Sequence, residues 1–295
     1  MADLQQSLTT ANTLMYRVLS GAKVDTAIQQ STKGQDFYWT AHTEQGDLLR
    51  LCDGHGSDIV IDIIRSFDFT PYTTNIENID PSSIINHLQK FTNTELSKGS
   101  IINKASGSTI TVIVINKTSI RMAWLGDSQA IVFKDGAMVF KTRSHNIIED
   151  SDSIGFRKKH HSWGSEINTN GQMVQKYKPY IKHSDHDLCA LTRALGHGGL
   201  AFNTPETVTI EIDTISNWKI VGGSDGMHDV IGEGEKDLLL LNTSSASQLC
   251  DIAVERWSPD HIWEFIPLNA PIFNTSFQEK DIDDIVIVTW EKKGK

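Results

Sequence analysis

TITVIVINKTSIRMAWLGDSQAIVFKDGAMVFK, residues 109–141, is the stretch on which the fold class turns. Its four short runs, Thr109–Ile115, Ile120–Trp124, Ala130–Phe133 and Met138–Lys141, are dominated by β-branched and aromatic residues, the types that fit a pleated, half-buried surface. Asn116-Lys117, Gly126-Asp127 and Asp135-Gly136 punctuate them, and Asp-Gly between two strand-forming runs is a strong hairpin signal. The reading is an antiparallel meander. Strand–helix–strand units would need far longer connections.

Upstream, Asp36–Thr43 and Leu48–Cys52 read as strands joined across the turn Glu44-Gln45-Gly46-Asp47. A helix is expected to start at Ser57, burying Ile59, Val60, Ile63, Ile64 and Phe67, and another at Pro81, burying Ile84, Ile85, Leu88 and Phe91. Leu4, Leu8, Met15 and Leu19 are spaced for one helical face within residues 1–20. Downstream, residues 144–187 are polar and weakly patterned, which predicts a surface excursion. Leu188–Leu195 reads as helix or turn, Val208–Ile212 and Trp218–Val221 as strands. Lys236–Leu241 and Ala246–Trp257 read as helices and Ile285–Trp290 as the last strand. The aromatics of 258–282 (Trp263, Phe265, Phe273, Phe277) read as local packing. Helices, a block of strands, more helices and a final strand predict an α+β sandwich in one domain spanning 1–295.

The 295 residues carry 27 Lys plus Arg against 37 Asp plus Glu, a formal charge of −10. That field repels phosphate backbones and argues against nucleic acid as a partner. Three cysteines without a Cys-x-x-Cys pair (Cys52, Cys189, Cys250) give no disulfide framework or zinc knuckle and imply a reducing compartment. No signal-peptide pattern opens the chain and no apolar run is long enough to span a bilayer. The expectation is a soluble intracellular protein without membrane insertion.

Aspartate recurs where strands end or tight turns begin: Asp36, Asp53 in Asp53-Gly54-His55-Gly56, Asp225 in Gly223-Ser224-Asp225-Gly226, and Asp283-Asp284 before the last strand. Carboxylates are the ligands hard cations such as Mg²⁺ and Mn²⁺ prefer. Two such ions can clamp a phosphoryl group and activate water. Glycine beside the aspartate lets backbone approach, so the Gly54 carbonyl is a candidate ligand too. Each motif alone is more often a turn than a ligand; their order and company carry the argument.

That set resembles the type 2C metal-dependent protein serine/threonine phosphatases. Lys33-Gly34-Gln35-Asp36 is similar to their first acidic motif, and Leu51-Cys52-Asp53-Gly54-His55-Gly56 to their apolar-Asp-Gly-His-Gly signature. Gly107-Ser108-Thr109, Leu125-Gly126-Asp127-Ser128-Gln129-Ala130, Leu191-Thr192-Arg193-Ala194-Leu195-Gly196, Pro205-Glu206, Ser224-Asp225-Gly226-Met227-His228-Asp229 and Asp283-Asp284-Ile285 follow in family order, over about residues 33–290. The resemblance implies two antiparallel sheets packed face to face with helices outside. It implies two Mn²⁺ or Mg²⁺ ions, with Asp53 bridging both, the Gly54 carbonyl on one, Asp225 and Asp283 on the other, and Asp36 holding bound water.

His55 would then be the general acid, and Asp127 and Asp229 structural turn residues. A monomer acting on phosphorylated proteins is expected. Departures are Ser31-Thr32-Lys33 where an arginine usually contacts phosphate, leaving Lys33 as substitute without a bidentate fork. Gln35, Gln129, Ser144, His197 and Asp284 also replace the usual residues, and Ser144 puts a third metal site in doubt. The histidines at 145, 160, 161, 183 and 186 read as solvated loop residues. Two other readings stand beside phosphoserine/phosphothreonine hydrolysis: an inactive phosphatase-like module that binds partners or phosphopeptides, and a hydrolase of small phosphoesters.

Overall fold

Residues 109–141 form two hairpins that lie in different sheets, which corrects the expected single meander. The computed structural model describes residues 14–17, 22–31, 33–98, 106–146, 149–150, 162–169, 175–182, 188–189, 191–197, 203–261, 263–265, 273–275 and 282–295. Its first third holds β1 (Leu14–Arg17), β2 (Ala22–Gln29), β3 (Asp36–Thr43), β4 (Gly46–His55), α1 (Ile59–Ser66) and α2 (Pro81–Lys98). Then come β5 (Gly107–Ser108), β6 (Ile110–Ile115), β7 (Ser119–Leu125), β8 (Gln129–Lys134) and β9 (Ala137–Lys141). β10 (Ser162–Thr169), β11 (Gln175–Lys182), β12 (Leu188–Cys189), β13 (Leu195–Gly196), β14 (Glu206–Glu211) and β15 (Trp218–Gly223) follow. The chain closes with α3 (Asp225–His228), α4 (Glu235–Thr243), α5 (Ala246–Trp257), β16 (Trp263–Phe265), β17 (Phe273–Thr275) and β18 (Ile285–Lys292).

One sheet runs β1-β2-β18-β15-β8-β9. The other runs β13-β5-β4-β6-β7-β14, with β3 also paired to β4. Every strand pairing is antiparallel. β7 thus pairs with β6 and β14, while β8 pairs with β15 and β9, so the chain changes sheets at Gly126-Asp127-Ser128. Asp135-Gly136 makes the expected hairpin turn, with both residues at positive φ.

Strand alternation assigns the layers. Val286, Val288 and Trp290 of β18 face inward against Leu49 and Leu51 of β4, Ile113 and Ile115 of β6, and Met122 and Trp124 of β7. Ile285 and Ile287, one residue out of phase, face the other way onto Met227, Leu241, Leu249, Ala253 and Trp257 of α3–α5. Val112 and Val114 likewise turn from the sandwich to meet Val60, Ile61, Ile64, Ile84, Ile85 and Leu88 of α1 and α2. The result is the four-layer helix–sheet–sheet–helix arrangement that the family resemblance implied. α5 starts with a capping box in which Ser245 Oγ accepts from the Gln248 amide and Gln248 Oε1 from the Ser245 amide.

Three other expectations change. Met15 lies in a strand, β1, while Leu4, Leu8 and Leu19 fall outside the described residues. Leu188–Leu195 contributes ends of strands (β12 and β13) rather than a helix. β10 and β11 pair antiparallel within the expected loop excursion, and β16 and β17 pair antiparallel within 258–282. Phe277 lies outside the described residues.

The two large sheets are joined by a polar contact inside the sandwich: Trp290 Nε1 on β18 donates to Asp47 Oδ2 on β4 at 2.7 Å, and both residues are buried. Trp290→Phe removes the donor and leaves a buried carboxylate oxygen short of a partner, so it is expected to cost about 2–3 kcal/mol. Urea unfolding of the two proteins measures this. A change within error would mean that Asp47 finds a replacement donor in the core.

Candidate metal centre

The change of sheet at Gly126–Ser128 brings Asp127 to the end of the sandwich where β4 finishes and α3 begins. Carboxylate oxygens of Asp53, Asp127 and Asp225 there lie within 4.8 Å of one another. Thr109 fixes two of these three loops together. Its hydroxyl accepts from the Asp53 amide (3.0 Å), its own amide donates to the Asp53 carbonyl (2.8 Å), and its hydroxyl contacts Ser128 Oγ at 2.6 Å. Asp225 is delivered by Ser224, whose amide donates to the Val286 carbonyl while its hydroxyl accepts from the Val286 amide. Gly226 is required because a Cβ there would sit 1.9 Å from the Asp284 carbonyl oxygen.

Asp36 stands directly opposite Asp53 in the β3–β4 register. It is buried, and neither carboxylate oxygen has a hydrogen-bond partner of normal geometry. Burial, reinforced by the charges of Asp284 and Asp283, pushes its carboxyl up to about 8. Burial and the neighbouring Asp225, Asp36, Asp127 and Asp283 also push the Asp53 carboxyl well above the ordinary range. Like-charged carboxylates this close are held apart in energy unless a proton or a cation lies among them. Hard divalent cations fit this donor set: carboxylate oxygens converge, and neither Asp36 oxygen has a hydrogen-bond partner of normal geometry.

Asp283 and Asp284 serve the site differently from each other. Asp284 turns inward and accepts from the Ser31 amide (2.5 Å) and the Gln35 amide (2.6 Å), clasping the turn that leads into Asp36. Asp283 Oδ1 receives the Lys33 ammonium at 2.8 Å. Burial alone would lower the Lys33 pKa, but the Asp283 hydrogen bond and the charges of Asp283, Asp225 and Asp53 hold it above the usual value. Lys33 therefore stands at the mouth of the acidic cluster. Gly54 is buried beside Gln35, its amide donating to the Gln35 carbonyl at 3.1 Å. The Asp229 amide donates to the Asp225 carbonyl and closes α3.

His55 ends β4 and meets His197, with 2.5 Å between the two Nε2 atoms. Another histidine, His145, is fully buried, correcting its reading as a solvated loop residue. Burial and the Arg193 charge lower its pKa to about 4, so the ring is neutral at ordinary pH. Its Nδ1 accepts from the Gly126 amide at 3.0 Å while Nε2 faces Glu206 at 3.2 Å. Asp150 takes a two-pronged contact from Arg193 and another from Thr192. This buried network holds residues 142–146 and 149–150 behind the Gly126–Ser128 crossing. Residues 144–146 and 149–150 are thus built into the fold, unlike the exposed excursion expected for them. His160, His161, His183 and His186 lie outside the described residues.

Residues 29–236 match the family model for protein phosphatase 2C. The chain belongs to the protein phosphatase 2C family. The matched range includes Asp36, Asp53, Asp127 and Asp225 and ends before Asp283. Among solved structures, this protein phosphatase 2C chain is similar to the serine-threonine phosphatase 2C from Toxoplasma gondii at TM-score 0.58 and 16% identity, over 96% of this chain and 99% of that one. It is similar to the catalytic domain of the serine threonine protein phosphatase PstP in complex with 2 manganese ions at TM-score 0.55 and 14% identity, over 92% and 97%. A C. elegans sex determining protein aligns at TM-score 0.57 and 17% identity over 92% of this chain, which spans 64% of that one. No curated protein matches the sequence. At these identities the likeness is one of fold. No helix among the described residues is long and apolar enough to cross a membrane.

The raised carboxyl of Asp36 sets a pH dependence in the absence of divalent ions. The folded protein keeps a proton there up to about pH 8, whereas the unfolded chain releases it near about pH 4. Folding therefore takes up a proton in this window, and stability falls as pH rises through it. In EDTA, the wild-type melting temperature is expected to drop between pH 5 and pH 8, and Asp36→Asn to flatten that drop. A wild-type midpoint that rises over the same range would contradict the assigned environment of Asp36.

Proposed function

We propose that this protein hydrolyses phosphoserine and phosphothreonine on other proteins at the aspartate cluster, using divalent Mn²⁺ or Mg²⁺. The observation that carries the reading is the convergence of Asp53, Asp127 and Asp225 within 4.8 Å, beside Asp36 with its unpartnered oxygens, in a chain of the protein phosphatase 2C family. When bound, such ions supply Lewis acidity toward the phosphoryl oxygens and lower the pKa of coordinated water.

The protein's own groups divide the remaining work. Asp53, Asp127 and Asp225, with Asp36 behind them, would hold the cations, and the Gly54 carbonyl would add a neutral oxygen. Asp283 contributes its carboxylate once Lys33 releases it. Lys33, with half its side chain exposed, reaches the phosphate as a single point charge, not the fork an arginine presents. His55, partly exposed at the end of β4, donates a proton to the leaving serine or threonine oxygen. Cys52 and Cys250 are buried, and burial raises both thiols to about 11, so neither is a thiolate nucleophile at neutral pH. The protein is proposed to act as a soluble intracellular monomer.

Hydrolysis of a phosphothreonine peptide with Mn²⁺, and its loss in EDTA, tests the reading. Asp225→Ala is expected to lower turnover by at least about 100-fold, the scale of losing several kcal/mol of charge stabilisation. Mn²⁺ binding without turnover on any phosphopeptide would favour a module that recognises phosphorylated partners instead.

A further inference from the structure

His197 lies outside the cluster of carboxylates, yet several features converge on it. The two-residue strand β5 runs between β4 and β13, pairing Gly107 with His55 on one side and with Gly196 on the other. The imidazoles of His55 and His197 thereby meet above Gly107. A Cβ at Gly107 would lie 2.3 Å from His197 Nε2 and 2.5 Å from His55 Nε2, so glycine is what makes room for the contact. The ring planes are 27° apart and the centroids 4.7 Å apart, with 2.5 Å between the Nε2 atoms. Centroids that far apart with nitrogens that close place the nitrogens on the line of centres, an edge-to-edge hydrogen bond.

The backbone at His197 is held in an uncommon conformation to achieve this. Its φ is +53°, in the left-handed region, which costs free energy for a residue with a side chain and concentrates at functional sites. The His197 amide donates to the Ser106 carbonyl at 2.8 Å, locking the turn. The His197 side chain is buried while His55 retains solvent access.

Two Nε2 atoms at this distance need one proton between them, since two lone pairs or two N–H groups would repel. Resting on the phosphatase reading above, we propose that His197 is a positioning residue for His55. Its Nε2 accepts the Nε2 proton of His55, fixes the ring and its tautomer, and leaves His55 Nδ1 as the nitrogen that protonates the leaving oxygen. In that step water oxygen bonds to phosphorus as the phosphorus–oxygen ester bond breaks. The Nδ1 proton passes to the serine or threonine oxygen, and the proton released by the attacking water returns to His55 through solvent. The Nε2 proton stays between the two rings throughout.

The test compares wild type with His197→Gly, which removes the ring and relaxes the left-handed backbone. It uses a phosphothreonine peptide, whose alkoxide needs a proton, and p-nitrophenyl phosphate, whose leaving group departs as an anion. The ratio of peptide to p-nitrophenyl phosphate kcat is expected to fall at least about tenfold in the variant, and added imidazole to restore part of it. Equal losses on both substrates, or no loss, would overturn the proposal. ¹⁵N NMR of the imidazoles in wild type supplies a readout that needs neither turnover nor a folded variant. It should find His55 protonated at Nε2 with that proton shared with His197. A His55 ring protonated only at Nδ1, with no coupling to His197, overturns the pairing. A shared proton in a wild type that hydrolyses neither substrate would instead sink the phosphatase reading and leave the histidine pair standing.

Discussion

Carboxylates that repel one another must be kept together at the end of the sandwich, and much of the local structure exists to do this. Asp36, Asp53, Asp127 and Asp225 are supplied by four different segments, and the burial that positions them also raises the proton affinity of Asp36 and Asp53. Such a cluster opposes folding when ionised and empty. It is sustained by backbone contacts that do not depend on the charges: Thr109 between Asp53 and Ser128, Ser224 on β18, and Asp284 on the amides of Ser31 and Gln35. The four layers behind them supply the apolar burial that offsets the strain.

The two sheets meet this requirement through topology. A β4 that pairs with β3 on one side and β5–β6 on the other puts Asp53 beside Asp36 and His55 beside Gly107. The crossing between β7 and β8 adds Asp127, and the turn between β15 and α3 adds Asp225. Lys33 and His197 complete the rim, one a cation against Asp283 and the other a buried ring against His55.

The α+β sandwich was legible in the sequence because short β-branched runs separated by turn residues lie between helical patterns, the four layers came with the family resemblance, and Asp53, Asp225 and Asp36 stood out as carboxylates where strands end or tight turns begin. That Asp127 lies beside Asp53 and Asp225 was not legible, for a definite reason. Gly126-Asp127-Ser128 between two β-rich runs has the local signature of a hairpin, and nothing local reveals that the flanking strands pair elsewhere. His145 was misread because polar neighbours suggest a loop, whereas its burial is decided by Arg193, Glu206 and Gly126, all distant in sequence. The resemblance singled out Asp283 over Asp284, but their partners were hidden, since Lys33 and the amides of Ser31 and Gln35 are distant in sequence.

The most direct measurement is anomalous diffraction at the manganese edge from crystals of the protein grown with Mn²⁺. The account predicts anomalous density among the carboxylates of Asp53, Asp127 and Asp225, with Asp36 in contact with that density or with water beside it. A structure at saturating Mn²⁺ with no density there would contradict the proposed metal centre.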